Sequence, residues 1–327
     1  MEPSNGDRVF LTGATGFVGS HVLRELLAAG YGVRALIRQQ ALGQSKDVEY
    51  VVGDLRRAGD FARALVGCRY LIHCAALYSF APRDRKELHA INVAGTAGIM
   101  LAAHMAGIER AVLTSSSATL SHAHSGYHRS KLEQERAAFA SRMPVIVLLP
   151  TAPVGPGDAK PTPTGKLILD FMRGKIVAKA PGSGGMNLVA VEDVAQAHVQ
   201  ALTRGNVGER YAIGGENLSM DAIWQMLADV TGKPMPRWRA PYALALAAAY
   251  ADELRARLTV ATPNVPIEGV KLSRERMYAD ASKAMDELEY EPTPVRAALS
   301  RAVAWYRENG FANGTLWRIP RARIPGP

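Results

Sequence analysis

Tyr127 and Lys131 stand four residues apart in the run Tyr127-His128-Arg129-Ser130-Lys131, a spacing that puts both side chains on one face of a helix. A phenol with an ordinary pKa of about 10 is a poor acid or base at neutral pH, but a neighbouring ammonium stabilises the phenolate and brings the group toward the working range. Just upstream, Thr114-Ser115-Ser116-Ser117 follows an apolar run. A hydroxyl at such a strand end can hydrogen-bond a carbonyl and the alkoxide made from it, or it can simply shape a turn. Phenol, ammonium and hydroxyl together are equipment for moving a proton at a carbon that bears oxygen.

A second group of residues points to what shares that site. Gly13, Gly16 and Gly19 are spaced three apart in Leu11 to His21, directly after a short apolar strand and at the start of a helical pattern. A helix entered this way turns its first amide N–H groups outward, with the positive end of the helix dipole behind them, and so forms a seat for phosphate. Side chains at Gly13 or Gly16 would block a pyrophosphate, while Gly19 lets the helix lie close on the sheet. The strand before and the helix after supply the context that a dinucleotide fingerprint needs. At the end of the second strand the chain has Ile37-Arg38-Gln39-Gln40 in place of an acidic residue. A guanidinium there suits a 2′-phosphate, which favours NADP over NAD. Asp54 is expected either to meet the adenine or to cap a helix.

These residues need elements to hold them. Apolar spacing predicts strands at Arg8–Leu11, Gly32–Ile37, Val48–Val52, Tyr70–Ile72, Ala111–Leu113 and Val145–Leu149, with helices at Phe17–Ala29, Asp60–Val66, Arg85–Ala106 and Tyr127–Ser141 between them. Strands apolar on both faces and separated by helices belong to a doubly wound parallel sheet, an α/β Rossmann fold. The run from Pro150 to Gly165 is dense in Pro and Gly, is expected to hold neither strand nor helix before Thr164, and marks a crossing into a smaller, mostly helical C-terminal substrate lobe. The reading is therefore a dinucleotide domain over 1–155 and a substrate lobe over 156–327, with a segment near 185–215, including the strand Arg210–Ile213, returning to the main sheet. Further helices are expected at Gly165–Arg173, Asp193–Thr203, Met220–Val230, Tyr242–Leu258 and Pro294–Asn309. The Ala-rich part of the fourth, Tyr242 to Tyr250, reads as buried. Asp193 reads as a helix cap, and Met105, Met172, Met226 and Met277 as core.

Composition narrows the setting. A chain of 327 residues, 48% hydrophobic and 21% charged, is ordinary for a soluble globular protein. Only Cys68 and Cys74 are present, which suits reduced thiols and a cytoplasmic location. Met1 to Asp7 lacks the basic start and apolar core of a signal peptide, and no apolar stretch approaches the roughly 20 residues of a membrane span. A net charge of +9 admits nucleic acid, an anionic membrane or an anionic small ligand. The basic residues are scattered apart from Arg318, Arg321 and Arg323, and no aromatics are interleaved with them, which argues against nucleic acid. His122, His124 and His128 lack a carboxylate or Cys at ligand spacing, so no metal is expected, and they read as solvent-facing or substrate-adjacent.

With these residues in place the chain resembles the extended short-chain dehydrogenase/reductase family, the NAD-dependent epimerase/dehydratase group. The resemblance rests on Thr12 to Gly19, Gly53-Asp54-Leu55, His73-Cys74-Ala75-Ala76, Asn92 to Thr96, Thr114 to Ser117 and Tyr127 to Lys131, and it runs on through Gly155 to Asp158, Val191 to Ala195 and Gly208 to about Tyr306. Within the group, the stretches 157–165 and 214–218 look like the hopanoid-associated sugar epimerases, with dihydroflavonol reductases more distant. The resemblance implies a nicotinamide lying over the sheet, held by Gly13, Thr15, Gly16, Phe17, Val18, Gly19, Arg38, Asp54, Leu55, Ala75, Ala76, Asn92, Tyr127, Lys131 and Pro150. It implies Tyr127 as proton donor or acceptor, Lys131 holding the ribose and tuning Tyr127, and Ser116, or else Ser117, polarising the substrate oxygen. Asn92 organises the site or acts as a buried capping amide. The helices around Arg85–Ala106 and Tyr127–Ser141 are those that relatives use to form homodimers.

The expected function is hydride transfer at a sugar carbon of a small, anionic, nucleotide-linked substrate, as in an epimerase. Reduction of a ketone or aldehyde with NADPH, as in the dihydroflavonol reductases, is the alternative, and Arg38 pulls toward it. Lys160, Lys166, Arg173, Arg237, Arg239 and Arg276 are candidates to clamp a diphosphate. The stretch between Ser116 and Tyr127 is shorter than in relatives of this branch. That implies an unusually open pocket or residues missing from the sequence, and it leaves room for a third reading, a dinucleotide-binding sensor without turnover. The presence of both Tyr127 and Lys131 argues against the sensor.

Overall fold

A computed structural model describes residues 7–40, 45–79, 82–120, 126–176, 178–179, 181–259 and 267–313. Arg318, Arg321 and Arg323, and the histidines His122 and His124, lie outside the described residues. Six strands alternate with helices in the first half: β1 Arg8–Thr12, β2 Gly32–Ile37, β3 Val48–Val52, β4 Tyr70–His73, β5 Arg110–Thr114 and β6 Val145–Pro150. The helices between them are α1 Phe17–Ala28, α2 Arg85–Leu88 running through a π-turn at His89–Ala94 into α3 Gly95–Met105, and α4 Gly126–Phe139. The second half contributes β7 Ala152–Val154, α5 Pro163–Met172, β8 Ala178–Lys179, β9 Gly185–Ala190, α6 Val191–Gln200, β10 Arg210–Ile213, β11 Glu216–Ser219 and α7 Met220–Thr231. It ends with β12 Trp238–Arg239, α8 Tyr242–Thr259, α9 Ile267–Leu272, β13 Arg276–Met277, α10 Ser282–Leu288 and α11 Val295–Glu308.

The main sheet has seven strands in the order β10-β6-β5-β4-β1-β2-β3, every pairing parallel. Strand order reverses between β1 and β4, the place where a doubly wound sheet opens a crevice at its carboxyl edge. Side chains alternate between two cores. Val9 and Leu11 of β1 and Ile146 and Leu148 of β6 face the α1 and α6 side, while Phe10, Val147 and Leu149 face the α3 side. A third core joins β7, β9, α5, α7 and α11 through Phe171, Trp224, Leu227, Leu299 and Val303.

Several expectations need correction. Residues 60–66 form no α-helix: two 3-10 turns, Leu55–Asp60 and Ala62–Leu65, occupy this stretch, broken by non-helical backbone at Arg57. The Pro-rich crossing does hold a strand. Pro153 is tolerated there because β7 pairs only with β9, so the missing N–H breaks no ladder. Helix α5 starts at Pro163, with the Thr162 hydroxyl accepting from the Gly165 amide at 3.1 Å. Of the segment 185–215, only β10 enters the main sheet, pairing with β6, whereas β9 lies in a separate sheet with β11, β13 and β7. Asp193 caps nothing; its carboxylate instead takes the Thr293 amide and hydroxyl at 2.6 and 2.7 Å. Met105 and Met277 are exposed, whereas Met172 is core and Met226 packs at the edge of the third core. The Ala-rich helix α8 is largely exposed, with Leu244 at 67%.

By length and composition alone the span Arg85–Met105 is apolar enough to cross a membrane, which the sequence reading missed. It lies on the sheet with Ile99, Met100, Ala102 and Ala103 in the second core, as a core helix does.

Glycine geometry ties α1 to the sheet. A Cβ on Gly19 would sit 2.0 Å from the Gly13 carbonyl oxygen, so any side chain there must push the helix off the turn. Gly19→Ala is expected to cost about 1–3 kcal/mol in urea unfolding and to weaken dinucleotide binding, because overpacking moves backbone. Gly59→Ala, where nothing lies within 4 Å, should leave both unchanged.

Candidate active site

The site is built where β1 and β4 end. Gly13 adopts φ +78, and a Cβ on it would lie 2.7 Å from the Ala75 nitrogen. The glycine turn therefore packs directly on the exit of β4. The Thr12 hydroxyl stitches the two together by accepting from the Ala75 amide at 3.2 Å. Gly16 then takes the N-cap position of α1 in extended conformation, with no side chain capping the helix. The amides of the first turn are left for a ligand, and Thr15 and Gly16 are exposed at the lip of the turn. This cradle of main chain, open only where a Cβ is absent, fits the pyrophosphate of a dinucleotide. Phe17 and Val18 flank it half-buried, and Gly19 lies beneath.

The remaining expected cofactor residues divide. Arg38 is exposed immediately beyond β2. Asp54 is a cap, the second of its two sequence readings: its carboxylate accepts from the Arg56 amide at 2.9 Å and pairs with the Arg56 side chain. That hydrogen bonding holds its carboxyl down at about 2. Leu55 is buried in the second core, and Pro150 ends β6 beside Ile213. Ala75 and Ala76 follow β4, and Asn92 fixes the chain just after them. Its amide oxygen takes the Leu77 N–H at 2.7 Å, and its amide nitrogen donates to the Leu77 carbonyl at 3.0 Å and to the Ser130 hydroxyl at 3.1 Å. Asn92 thus clamps the strand exit to α4.

Helix α4 brings Tyr127 and Lys131 to the end of β5. The Tyr127 hydroxyl hydrogen-bonds Ser116, and its ring meets Tyr78 edge-on with centroids 4.6 Å apart. Lys131 is 2% exposed and donates to the Thr114 carbonyl at 2.8 Å and to the Gln134 amide oxygen at 2.6 Å. Burial pulls its pKa down to about 8, against the opposing charges of Glu135 and Cys74. The expected acidification of Tyr127 by Lys131 does not occur in this arrangement. Burial pushes the phenol up to about 12, with only the Ser116 bond opposing. The ammonium is committed to Thr114 and Gln134 instead. Ser115 donates to Glu135, and that carboxylate also pairs with Arg210 at 2.9 Å, so Ser116 is the hydroxyl of this run that meets the phenol. His128 is buried, which rules out the first of its two sequence readings, solvent-facing or substrate-adjacent. Lys166, Arg173 and Arg239 are engaged by Asp170, the Phe311 carbonyl and Asp221, which removes three of the candidate diphosphate clamps.

Sequence reading missed the support beneath Lys131. Gln134 Nε2 donates to the Thr96 hydroxyl at 3.0 Å, Thr96 meets His73 Nε2 at 2.9 Å, and His73 Nδ1 meets the Thr12 hydroxyl at 2.6 Å. Burial and the Lys131 charge lower His73 to about 3, so the imidazole is neutral and can donate from one nitrogen while accepting at the other. A fully buried chain of polar groups therefore runs from the glycine turn to the ammonium. Gln134 and Glu135 lie three and four residues beyond Lys131, a spacing that marks one helix face and was legible in principle.

Comparison with known proteins agrees with this geometry. Residues 9–214 match the family model described as the NAD dependent epimerase/dehydratase family. The chain is 38% identical to a putative dihydroflavonol 4-reductase of Synechocystis sp., over 93% of this chain and 96% of that protein. It is 36% identical to sterol demethylase protein B of Methylococcus capsulatus, over 92% of this chain and 98% of that one. Among solved structures, MoeE5 in complex with UDP-glucose and NAD superimposes with a TM-score of 0.72 at 25% identity, covering 93% of this chain and 99% of that one. With an uncapped glycine turn at the switch point and a Ser-Tyr-Lys arrangement at the same sheet edge, this chain belongs to the NAD-dependent epimerase/dehydratase family.

Proposed function

We propose that the protein is an NADPH-dependent reductase of a ketone on a predominantly apolar small molecule. The observation that carries the reading is 38% identity over 93% of the chain to a putative dihydroflavonol 4-reductase, on a site whose Tyr127 hydroxyl is held on Ser116. A phenol at that position is the group that can give the carbonyl oxygen its proton in a reduction. The relative called a sterol demethylase protein, at 36% identity, supports an apolar substrate. Exposed Arg38 supports NADP.

A bound reduced nicotinamide supplies the hydride. Ser116 donates a hydrogen bond to the substrate carbonyl and so favours charge on its oxygen. Tyr127 would give its proton to that oxygen as the carbon is reduced, which leaves an alcohol. The Tyr78 ring forms an aromatic wall beside Tyr127. Lys131, fixed by Thr114 and Gln134, presents its remaining N–H to the ribose hydroxyls.

Purified protein incubated with NADPH or NADH and a panel of apolar ketones and nucleotide sugars is expected to consume NADPH with the ketones. Tyr127→Phe should lower kcat by about 10²–10⁴ while leaving dinucleotide affinity intact. Inversion of a nucleotide sugar with no net cofactor consumption would replace this reading with the epimerase.

Lys131 must be protonated to donate to the ribose, so NADPH affinity, followed by fluorescence titration, should weaken as pH rises through about 8. Gln134→Glu, which adds a charge favouring the ammonium, should move that transition to higher pH. Gln134→Leu, which removes an acceptor, should move it lower. The same shift bears on folding: the unfolded chain keeps its lysine proton to higher pH, so the buried charge costs stability below about 8, and stability recovers as pH rises toward the unfolded lysine value.

We propose also that the chain forms a homodimer through α3 and α4. Leu101 and Met105 are 60% and 80% exposed beside a groove of about 400 Å³ lined by Ala97, His104, Ala137 and Ala140. An isologous contact would fill it with the partner's copies of the same residues. Leu101→Glu with Met105→Glu should convert the dimer to monomer in sedimentation velocity.

A further inference from the structure

Helix α8 is apolar on two sides. Ala249 and Ala256 are turned inward and buried. On the other side Leu244, Ala247, Ala251, Leu254 and Leu258 recur at spacings of three and four and are all exposed, the three leucines at 67%, 59% and 77%. Tyr250 flanks the stripe and is exposed as well. Single surface leucines are ordinary. A line of them along about four turns is not, and an exposed apolar stripe of that length marks an interaction surface.

The N-terminal end of the stripe is cationic and aromatic. The Arg274 guanidinium lies 4.9 Å from the centroid of the Tyr242 ring, the first residue of α8. Arg239 donates to the Gly182 carbonyl and is neutralised by Asp221 at 2.6 Å, and a Cβ on Gly182 would meet the Arg274 side chain at 2.8 Å, so Arg274 is the guanidinium left to the patch. Trp238, next to Arg239, is 78% exposed. Residues 231–278 hold eight Lys and Arg against four Asp and Glu, in a chain of net charge +9.

We propose that α8 docks the protein onto an anionic lipid surface, its leucines entering the interface while Arg274 and Trp238 meet the headgroups. An indole and a guanidinium beside an aliphatic stripe suit a boundary that is apolar below and negatively charged above. A second copy of this chain is a poorer occupant, because an isologous contact sets a net positive patch against itself. A convex helix also offers a surface, not the groove that an amphipathic peptide needs.

The full chain sedimented with phosphatidylcholine vesicles, with and without phosphatidylglycerol, is expected to pellet with the anionic ones and to be released by salt. Leu254→Glu with Leu258→Glu, both at exposed positions, should weaken that partition about tenfold or more while NADPH affinity and sedimentation behaviour without vesicles stay as in the wild type. Three results would overturn the proposal: a wild-type chain that stays in the supernatant, a variant that pellets equally, or a variant whose change is loss of self-association. Partition needs no turnover, so a chain that binds vesicles yet reduces no ketone would remove the catalytic reading alone.

Discussion

A primary ammonium that is 2% exposed must be given acceptors by the protein, and the architecture around Lys131 follows from that need. The Thr114 carbonyl is available because β5 ends there and its next ladder partner is gone. The Gln134 amide is available because it lies one helical turn along α4. Holding both acceptors on one nitrogen fixes the rotation and depth of α4 against the sheet, and with them the place of Tyr127. Glu135, reached from the other side by Ser115 and Arg210, supplies compensating charge and ties the loop carrying Ser116 to the same helix. The reacting groups are thus positioned by residues that never touch substrate.

The buried chain Gln134-Thr96-His73-Thr12 joins this constraint to the glycine turn. Buried polar networks are costly unless every member is satisfied, and once satisfied they specify a single arrangement. The network crosses the crevice at the strand-order reversal, so the seat for phosphate and the seat for the ammonium are two ends of one rigid assembly. A neutral imidazole in its middle can pass hydrogen-bond direction without carrying charge, which keeps Lys131 the dominant local cation.

Buried carboxylates fix elements of the second half of the chain to one another by similar means. Asp158, 2% exposed, accepts from the Thr162 amide and hydroxyl and from the Tyr306 hydroxyl, which binds the entrance of α5 to α11. Asp193 does the same between α6 and the loop before α11. These buried carboxylates spend their acceptor capacity on structure. On helix α8 Ala249 and Ala256 are buried, while Leu244, Leu254 and Leu258 face outward.

Local pattern was enough to read the alternation of strand and helix, the parallel sheet, the glycine turn and the pairing of Tyr127 with Lys131, because each depends on neighbours within a few residues. Strands β2, β3 and β10 lie where apolar runs predict them, and α1, α4 and α11 differ only at their ends. Other features depended on partners distant in the chain. Whether Lys131 would acidify Tyr127 was decided by Thr114 and Gln134 competing for its protons. Whether Pro153 could sit in a strand was decided by the lack of a second neighbour for β7. Whether the Ala-rich α8 and Met105 would be buried was decided by which helix faces found a covering layer. A sequence states which side chains are apolar or charged, but burial and hydrogen-bond competition are properties of the packed chain, so only the tertiary structure could assign them.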